Sequence, residues 1–324
     1  MSLLLLLTLC SGALAQNLFE TGPDGTFIYE FTPRGVRSTF ASGTALVYPI
    51  SLAFDKSGNL FVGTTVGNKI IEITPSKVQS TFASGLHPAA LAFDSMGNLF
   101  EADAASGNIF KFSTNGVQST FASGLNQPEG LAFNNAGYLF ESDGSSTIYE
   151  FAPDGTKSTF VSLSFRPAGL AFDGAGNLFV SSPSGNTIYK FTTNGVQSTF
   201  ASGLDEPQGL AFDSEGNLYE ADYLGENIYK FTTNGVQSTF AFGLPDTTAL
   251  AFQPIPTLEP LTVGSNGTFQ LTVSIPSPYY STIVQASTDL VNWVSIYTNT
   301  PPFSFSDPTV TASPYRFYRA LVGP

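Results

Sequence analysis

The chain has 324 residues and a formal net charge of −13, with 42% hydrophobic, 14% aromatic and only 11% charged residues. So large a carboxylate excess, with no cluster of lysine or arginine to offset it, disfavours polyanionic partners such as nucleic acid. Glycine (31), phenylalanine (30) and tyrosine (13) are plentiful and methionine (2) is scarce, a balance that suits strands and turns better than helices.

The chain opens MSLLLLLTLCSGALAQ. Leu3 to Leu9 is an apolar run too short to span a bilayer, and Ala13-Leu14-Ala15 is a small-x-small cleavage site, so residues 1–15 read as an export signal, without the usual preceding Lys or Arg. Leu9, just before Cys10, is not the small residue a lipobox wants. Cleavage after Ala15 would remove Cys10, the single cysteine, and leave a mature chain without disulfide or thiol chemistry. The expected location is extracellular or periplasmic, with no membrane span.

Beyond Gln16 the sequence repeats. Leu-Ala-Phe recurs with its Phe at Phe54, Phe93, Phe133, Phe172, Phe212 and Phe252, at intervals of 39, 40, 39, 40 and 40 residues. One unit, GLAFDSEGNLYEADYLGENIYKFTTNGVQSTFAFGL from Gly209, divides into four β-prone runs: Leu210 to Asp213, Leu218 to Asp222, Ile228 to Thr232 and Val236 to Ala241. Glycine and asparagine occupy the intervening turns, where the chain needs positive φ. Four strands per period of about 40 residues is the signature of a propeller blade. Five complete units span Ser51 to Ala249. Asn17 to Gly43 carries the last three strands of a unit, and Ala249 to Phe252 supplies a first strand alone. The two fragments complete one another, which predicts an all-β, six-bladed β-propeller over 16–253 whose closing blade joins both ends.

The stretch GLAFDSEGNLYEADYLGENIYKF resembles the NHL repeat, and the resemblance extends from Asn17 to Phe252. It implies a propeller related to the gluconolactonase and senescence-marker-protein group, among which are lactonases, lyases and pure binding scaffolds. After a proline-punctuated linker at 254–257, residues 258–324 change composition. Alternating runs at Thr268 to Ile275, Thr282 to Ala286, Trp293 to Tyr297 and Phe317 to Val322 predict a small β-sandwich-like module, with Trp293 in its core. VQASTDLVNWVSIYTN, FSFSDP and RFYRALVGP resemble a C-terminal module of secreted bacterial repeat proteins.

The related lactonases hold a divalent cation with a Glu, two Asn and an Asp from inner strands. At the positions before Leu-Ala-Phe this chain offers Ile50-Ser51, Ala89-Ala90, Glu129-Gly130, Ala168-Gly169, Gln208-Gly209 and Thr248-Ala249, so only Glu129 is a hard ligand. The related lyases need two or more histidines, whereas His87 stands alone, read as a surface residue. The turns at Asp94, Asp173 and Asp213 read as Asx-capped hairpins rather than calcium loops.

Glu20, Glu101, Glu141 and Glu220 share one position on the second strand, where Val62 and Val180 stand in the other units. Lys111 and Lys230, ten residues on, are expected to pair with two of them, and a solvated blade edge to accommodate the rest. Divergence concentrates in the loops entering the first strand and those joining the second and third. Candidate ligand-binding residues there are Tyr48, His87, Glu129, Arg166, Asp205, Glu206, Tyr223 and Asp246, on an acidic face that also holds Asp103, Asp143, Asp222 and Glu226. The expected function is a secreted, monomeric, non-enzymatic propeller binding a small molecule, glycan or protein, with no cofactor or with calcium. The alternatives are a metal-dependent, calcium-type lactonase or hydrolase and a purely structural envelope component.

Overall fold

Short β-prone runs separated by Asx and glycine turns have one economical solution, the up-and-down meander, and each propeller blade adopts it. The structure, a computed structural model, describes residues 16–22 and 25–254, together with the strands and short flanks between 257 and 323 named below. Met1 to Ala15 and Trp293 lie outside the described residues.

Blade 1 contains β1 (Leu18–Thr21), β2 (Phe27–Phe31) and β3 (Arg37–Ser42). Blade 2 is β4 (Pro49–Phe54), β5 (Leu60–Thr64), β6 (Lys69–Ile73) and β7 (Gln79–Ser84). Blade 3 is β8 (Pro88–Phe93), β9 (Leu99–Asp103), β10 (Asn108–Phe112) and β11 (Gln118–Ala122). Blade 4 is β12 (Pro128–Phe133), β13 (Leu139–Asp143), β14 (Thr147–Phe151) and β15 (Lys157–Ser162). Blade 5 is β16 (Leu170–Phe172), β17 (Leu178–Ser182), β18 (Thr187–Phe191) and β19 (Gln197–Ser202). Blade 6 is β20 (Pro207–Phe212), β21 (Leu218–Asp222), β22 (Asn227–Phe231) and β23 (Gln237–Phe242), and β24 (Ala249–Phe252) returns to blade 1. There it pairs antiparallel with β1, Leu18 opposite Phe252 and Glu20 opposite Leu250, so the closing blade is composite. The inner strands β4, β8, β12, β16, β20 and β24 neighbour one another around the ring.

The repeated phenylalanines hold adjacent blades together. In each blade the aromatic residue of the second strand lies edge-on to two others. One is the Phe of its own outer strand, and the other is the Leu-Ala-Phe ring of the next blade. Phe140, for example, meets Phe160 at 5.1 Å and Phe172 at 4.9 Å. The set closes the circle, since Tyr219 of blade 6 meets Phe252 of blade 1 at 4.9 Å. Each such pair adds about 0.5–1.5 kcal/mol beyond its area burial.

The predicted fate of the second-strand glutamates is wrong. Glu20 is 3% exposed and Glu101, Glu141 and Glu220 are fully buried. The hairpin register sets Glu101 opposite Phe110 and Lys111 opposite Phe100, an offset of nine residues rather than ten. One residue of slip sends a side chain to the other face of the sheet. Lys111 and Lys230 therefore lie over the rings of Phe100 and Tyr219 and approach Asp94 and Asp213 instead.

Beyond Gln253, β25 (Thr257–Leu258), β26 (Thr262–Val263), β27 (Phe269–Ser274) and β30 (Phe303–Ser306) form one sheet. A second contains β28 (Ser281–Ser287), β29 (Val294–Asn299) and β31 (Phe317–Gly323). The Tyr297 and Phe305 rings, 4.9 Å apart, join the two sheets. Among the described residues no helix is long and apolar enough to cross a membrane.

Candidate functional site at the channel mouth

In an up-and-down blade, the loops entering the first strand and those joining the second and third emerge at the same end. Hydrogen bonds tie them to each other. Asp103 accepts from the His87 N–H at 2.8 Å, Asp143 from Asn126 at 2.7 Å and Asp222 from Asp205 at 2.7 Å. These three aspartates are buried as loop clamps and do not face solvent. Burial pushes the Asp222 carboxyl up to about 6, against the opposing hydrogen bond from Asp205.

At this end the inner strands enclose a cavity of about 270 Å³. Its first tier is Ile50, Ala89, Glu129, Ala168, Gln208 and Thr248, and its second is Ser51, Ala90, Gly130, Gly169, Gly209 and Ala249. The second tier must be small. A Cβ on Gly130 or Gly169 would run into the carbonyl oxygen of Ala168 or Gln208 on the next inner strand. The third tier is a ring of six leucines, Leu52, Leu91, Leu131, Leu170, Leu210 and Leu250, each 7–8% exposed. The cavity thus has an apolar floor and a few polar groups at its rim, the usual make-up of a small-ligand site.

Of the eight candidate residues Glu129 alone lines the cavity, and Arg166 meets it from outside the lining. Glu129, on the inner strand of blade 4, forms an ion pair with Arg166, from the loop entering blade 5. That loop departs from the repeat, reading SLSFRPAGL where its counterparts read ASGLNQPEGL or ASGLDEPQGL. It is anchored by Phe165, stacked on Tyr189 at 4.6 Å. Burial raises the Glu129 carboxyl, and the charge and hydrogen bond of Arg166 act against the rise.

The other six candidates ring the mouth without lining it. Tyr48, His87 and Asp205 are exposed in loops entering inner strands, Glu206 and Asp246 are half-buried beside them, and Tyr223 lies in the loop after β21. Glu226 is exposed in that same loop. Tyr48, Gln127, Glu206 and Asp246 hold φ between +50° and +57°, and the first three directly precede a proline. Non-glycine residues rarely adopt this backbone, and such strain concentrates where loops are held for binding. Sequence reasoning set aside Gln208, Thr248 and Ser51, although they occupy the same column before Leu-Ala-Phe that singled out Glu129. Among the described residues, no three His, Cys, Asp or Glu side chains stand together as a metal site.

No protein-family model and no curated protein sequence matches the chain. Solved structures do match in fold. The nidogen/laminin complex aligns at TM-score 0.67 and 17% identity, over 74% of this chain and 98% of that one. A streptogramin B lyase aligns at 0.60 and 14%, over 80% and 87%. A putative gluconolactonase aligns at 0.54 and 16%, over 83% and 91%. The fold is that of a six-bladed β-propeller. Identity this low carries the propeller architecture alone, so the propeller's function rests on its own side chains.

Proposed function

We propose that this is a secreted recognition propeller that binds a small molecule, or the projecting tip of a glycan or protein, at the loop-bearing mouth without transforming it. The observation that carries this reading is the cavity floored by six leucines and rimmed by the Glu129–Arg166 pair, Gln208 and Thr248. Such a site suits a ligand with a compact apolar body and a polar head. The leucines would take the body, and the carboxylate, guanidinium, amide and hydroxyl would fix the head. Secretion rests on the export signal at residues 1–15.

The rival, a calcium-type lactonase, needs Glu129 as a cation ligand. Arg166 already occupies that carboxylate, so calcium would have to displace a guanidinium while finding further oxygens around it. A thermal-shift screen of small sugars, amino acids and carboxylic acids, with a calcium arm at fixed ionic strength, tests the proposal. The expected hit loses its shift in Glu129→Gln and Leu131→Phe. A calcium-specific shift that Glu129→Gln abolishes, accompanied by lactone hydrolysis, would replace the proposal with the rival.

A further inference from the structure

Four carboxyls are sealed in the seams between blades, three of them with no partner. Both carboxyl oxygens of Glu101, Glu141 and Glu220, and one of Glu20, are buried and lack a hydrogen bond. Their surroundings are legible from the valines that replace them. Val62 packs with Phe19, Ile28, Leu52 and Ile71, and Val180 with Phe140, Ile148 and Leu170, each cluster spanning a blade seam. Glu101 has the corresponding place in the seam of blades 2 and 3, where Phe61 and Ile70 of blade 2 pack with Leu91 and Leu99 of blade 3.

The distribution has an order. The valine seams, between blades 1 and 2 and between blades 4 and 5, lie three blades apart and therefore opposite one another. The four carboxyl seams fall in two arcs, blades 2-3-4 and blades 5-6-1. Hydroxyl bridges cross four of the six seams. Thr21 donates to the carbonyl of Pro49 and Ser142 to that of Ala168 across the valine seams. Ser51 and Ser181 donate to Pro88 and Gln208 across the first seam of each arc. Ser181 shares its second-strand position with Thr21, Ser142, Gly63, Ala102 and Ala221, whereas Ser51 lies on the first strand of its blade.

We infer that these buried carboxyls make the propeller a pH-tuned ring, closed most tightly when they are protonated and loosened along two opposite arcs when they ionise. A neutral carboxylic acid can be accommodated in an apolar seam, whereas an unpaired carboxylate there is expensive. The charged neighbours do little to relieve it. Glu101 feels Asp103, and Glu220 feels Asp222, both like charges. Glu141 feels Asp143 and Glu129 against a single Lys157. Glu20 alone has helpful neighbours, the Thr247 hydroxyl and Arg37. Across the strand pairs, Tyr29, Phe110, Tyr149 and Tyr229 stand opposite the four, adding no cation.

The physical consequence follows in sign. Burial raises Glu101, Glu141 and Glu220 to about 9 and Glu20 to about 7, from the ordinary 4.5. Folded-state values above unfolded ones favour the native state fully below about pH 4.5, and that contribution drains away as pH rises towards 9. The fall should be steepest where the shifted groups are most numerous.

Melting curves of the whole chain and of E20Q/E101Q/E141Q/E220Q between pH 5 and pH 9 test this. The native chain should lose roughly 10 °C or more across the window, and the quadruple variant less than half of that. Should the quadruple variant not fold, Glu101→Val and Glu220→Val, each copying a natural seam, should raise Tm more at pH 9 than at pH 5. Infrared difference spectra at pH 7 should also show a protonated carboxyl carbonyl band that diminishes in each variant. A flat native profile, valine variants acting equally at both pH values, or no protonated carboxyl band at pH 7 would overturn the inference.

Discussion

The two ends of the propeller are built on opposite rules. At the turn end blades 2, 3, 5 and 6 repeat one another. Asp94, Asp173 and Asp213 each accept the N–H of the Asn four residues on at 2.8 Å and its side-chain amide at 2.7–2.8 Å. Thr32, Thr74, Ser113, Thr192 and Thr232 cap the next turns through their hydroxyls in the same way. At the loop end the blades diverge: blades 3, 4 and 6 share an aspartate clamp, Asp103, Asp143 or Asp222, while blade 5 substitutes an aromatic stack. Uniformity where stability is made, and divergence where the cavity opens, is what a scaffold with a grafted site should show.

Perturbing the shared framework should have the largest effects. Deleting Pro245 to Phe252 removes β24 and leaves β1 with an unpaired edge. The truncated chain should melt far lower and self-associate, which light scattering would reveal. Phe140→Ala removes a ring shared by two blades and should cost about 3–5 kcal/mol in a denaturant titration. A turn-end change such as Asp213→Ala, which frees Asn217, should cost about 1–2 kcal/mol and leave the ligand response of the mouth untouched. His87→Ala, at an exposed side chain on the loop end, should stay within about 0.5 kcal/mol of the parent. If the turn-end variant altered ligand response, or the histidine variant lost much stability, the division between the two ends would fail.

The sequence carried the framework almost completely, because period and composition encode it. The 39–40-residue recurrence of Leu-Ala-Phe reports blade size, and the missing first strand at Asn17 reports how the ring closes. The mouth was half legible. Glu129 stood out as the one charge in its column, while Arg166 arrives from a neighbouring blade, and its pairing is a matter of three-dimensional closure. Glu101 and its equivalents were misplaced for a sharper reason. Side chains alternate faces every residue, so a hairpin register of nine rather than ten decides between a salt bridge and a sealed seam. Spacing alone does not reveal that parity when the turn between β9 and β10 has no fixed type.

The most direct test of the mouth as the binding site is amide chemical-shift mapping of the isotopically labelled propeller, titrated with the strongest hit of the thermal-shift screen. Saturable shifts should concentrate on Ala89, Glu129, Arg166, Gln208 and Thr248 and on the leucine ring beneath them. Shifts centred on the Asp94, Asp173 and Asp213 turns, or spread evenly over both ends, would contradict it.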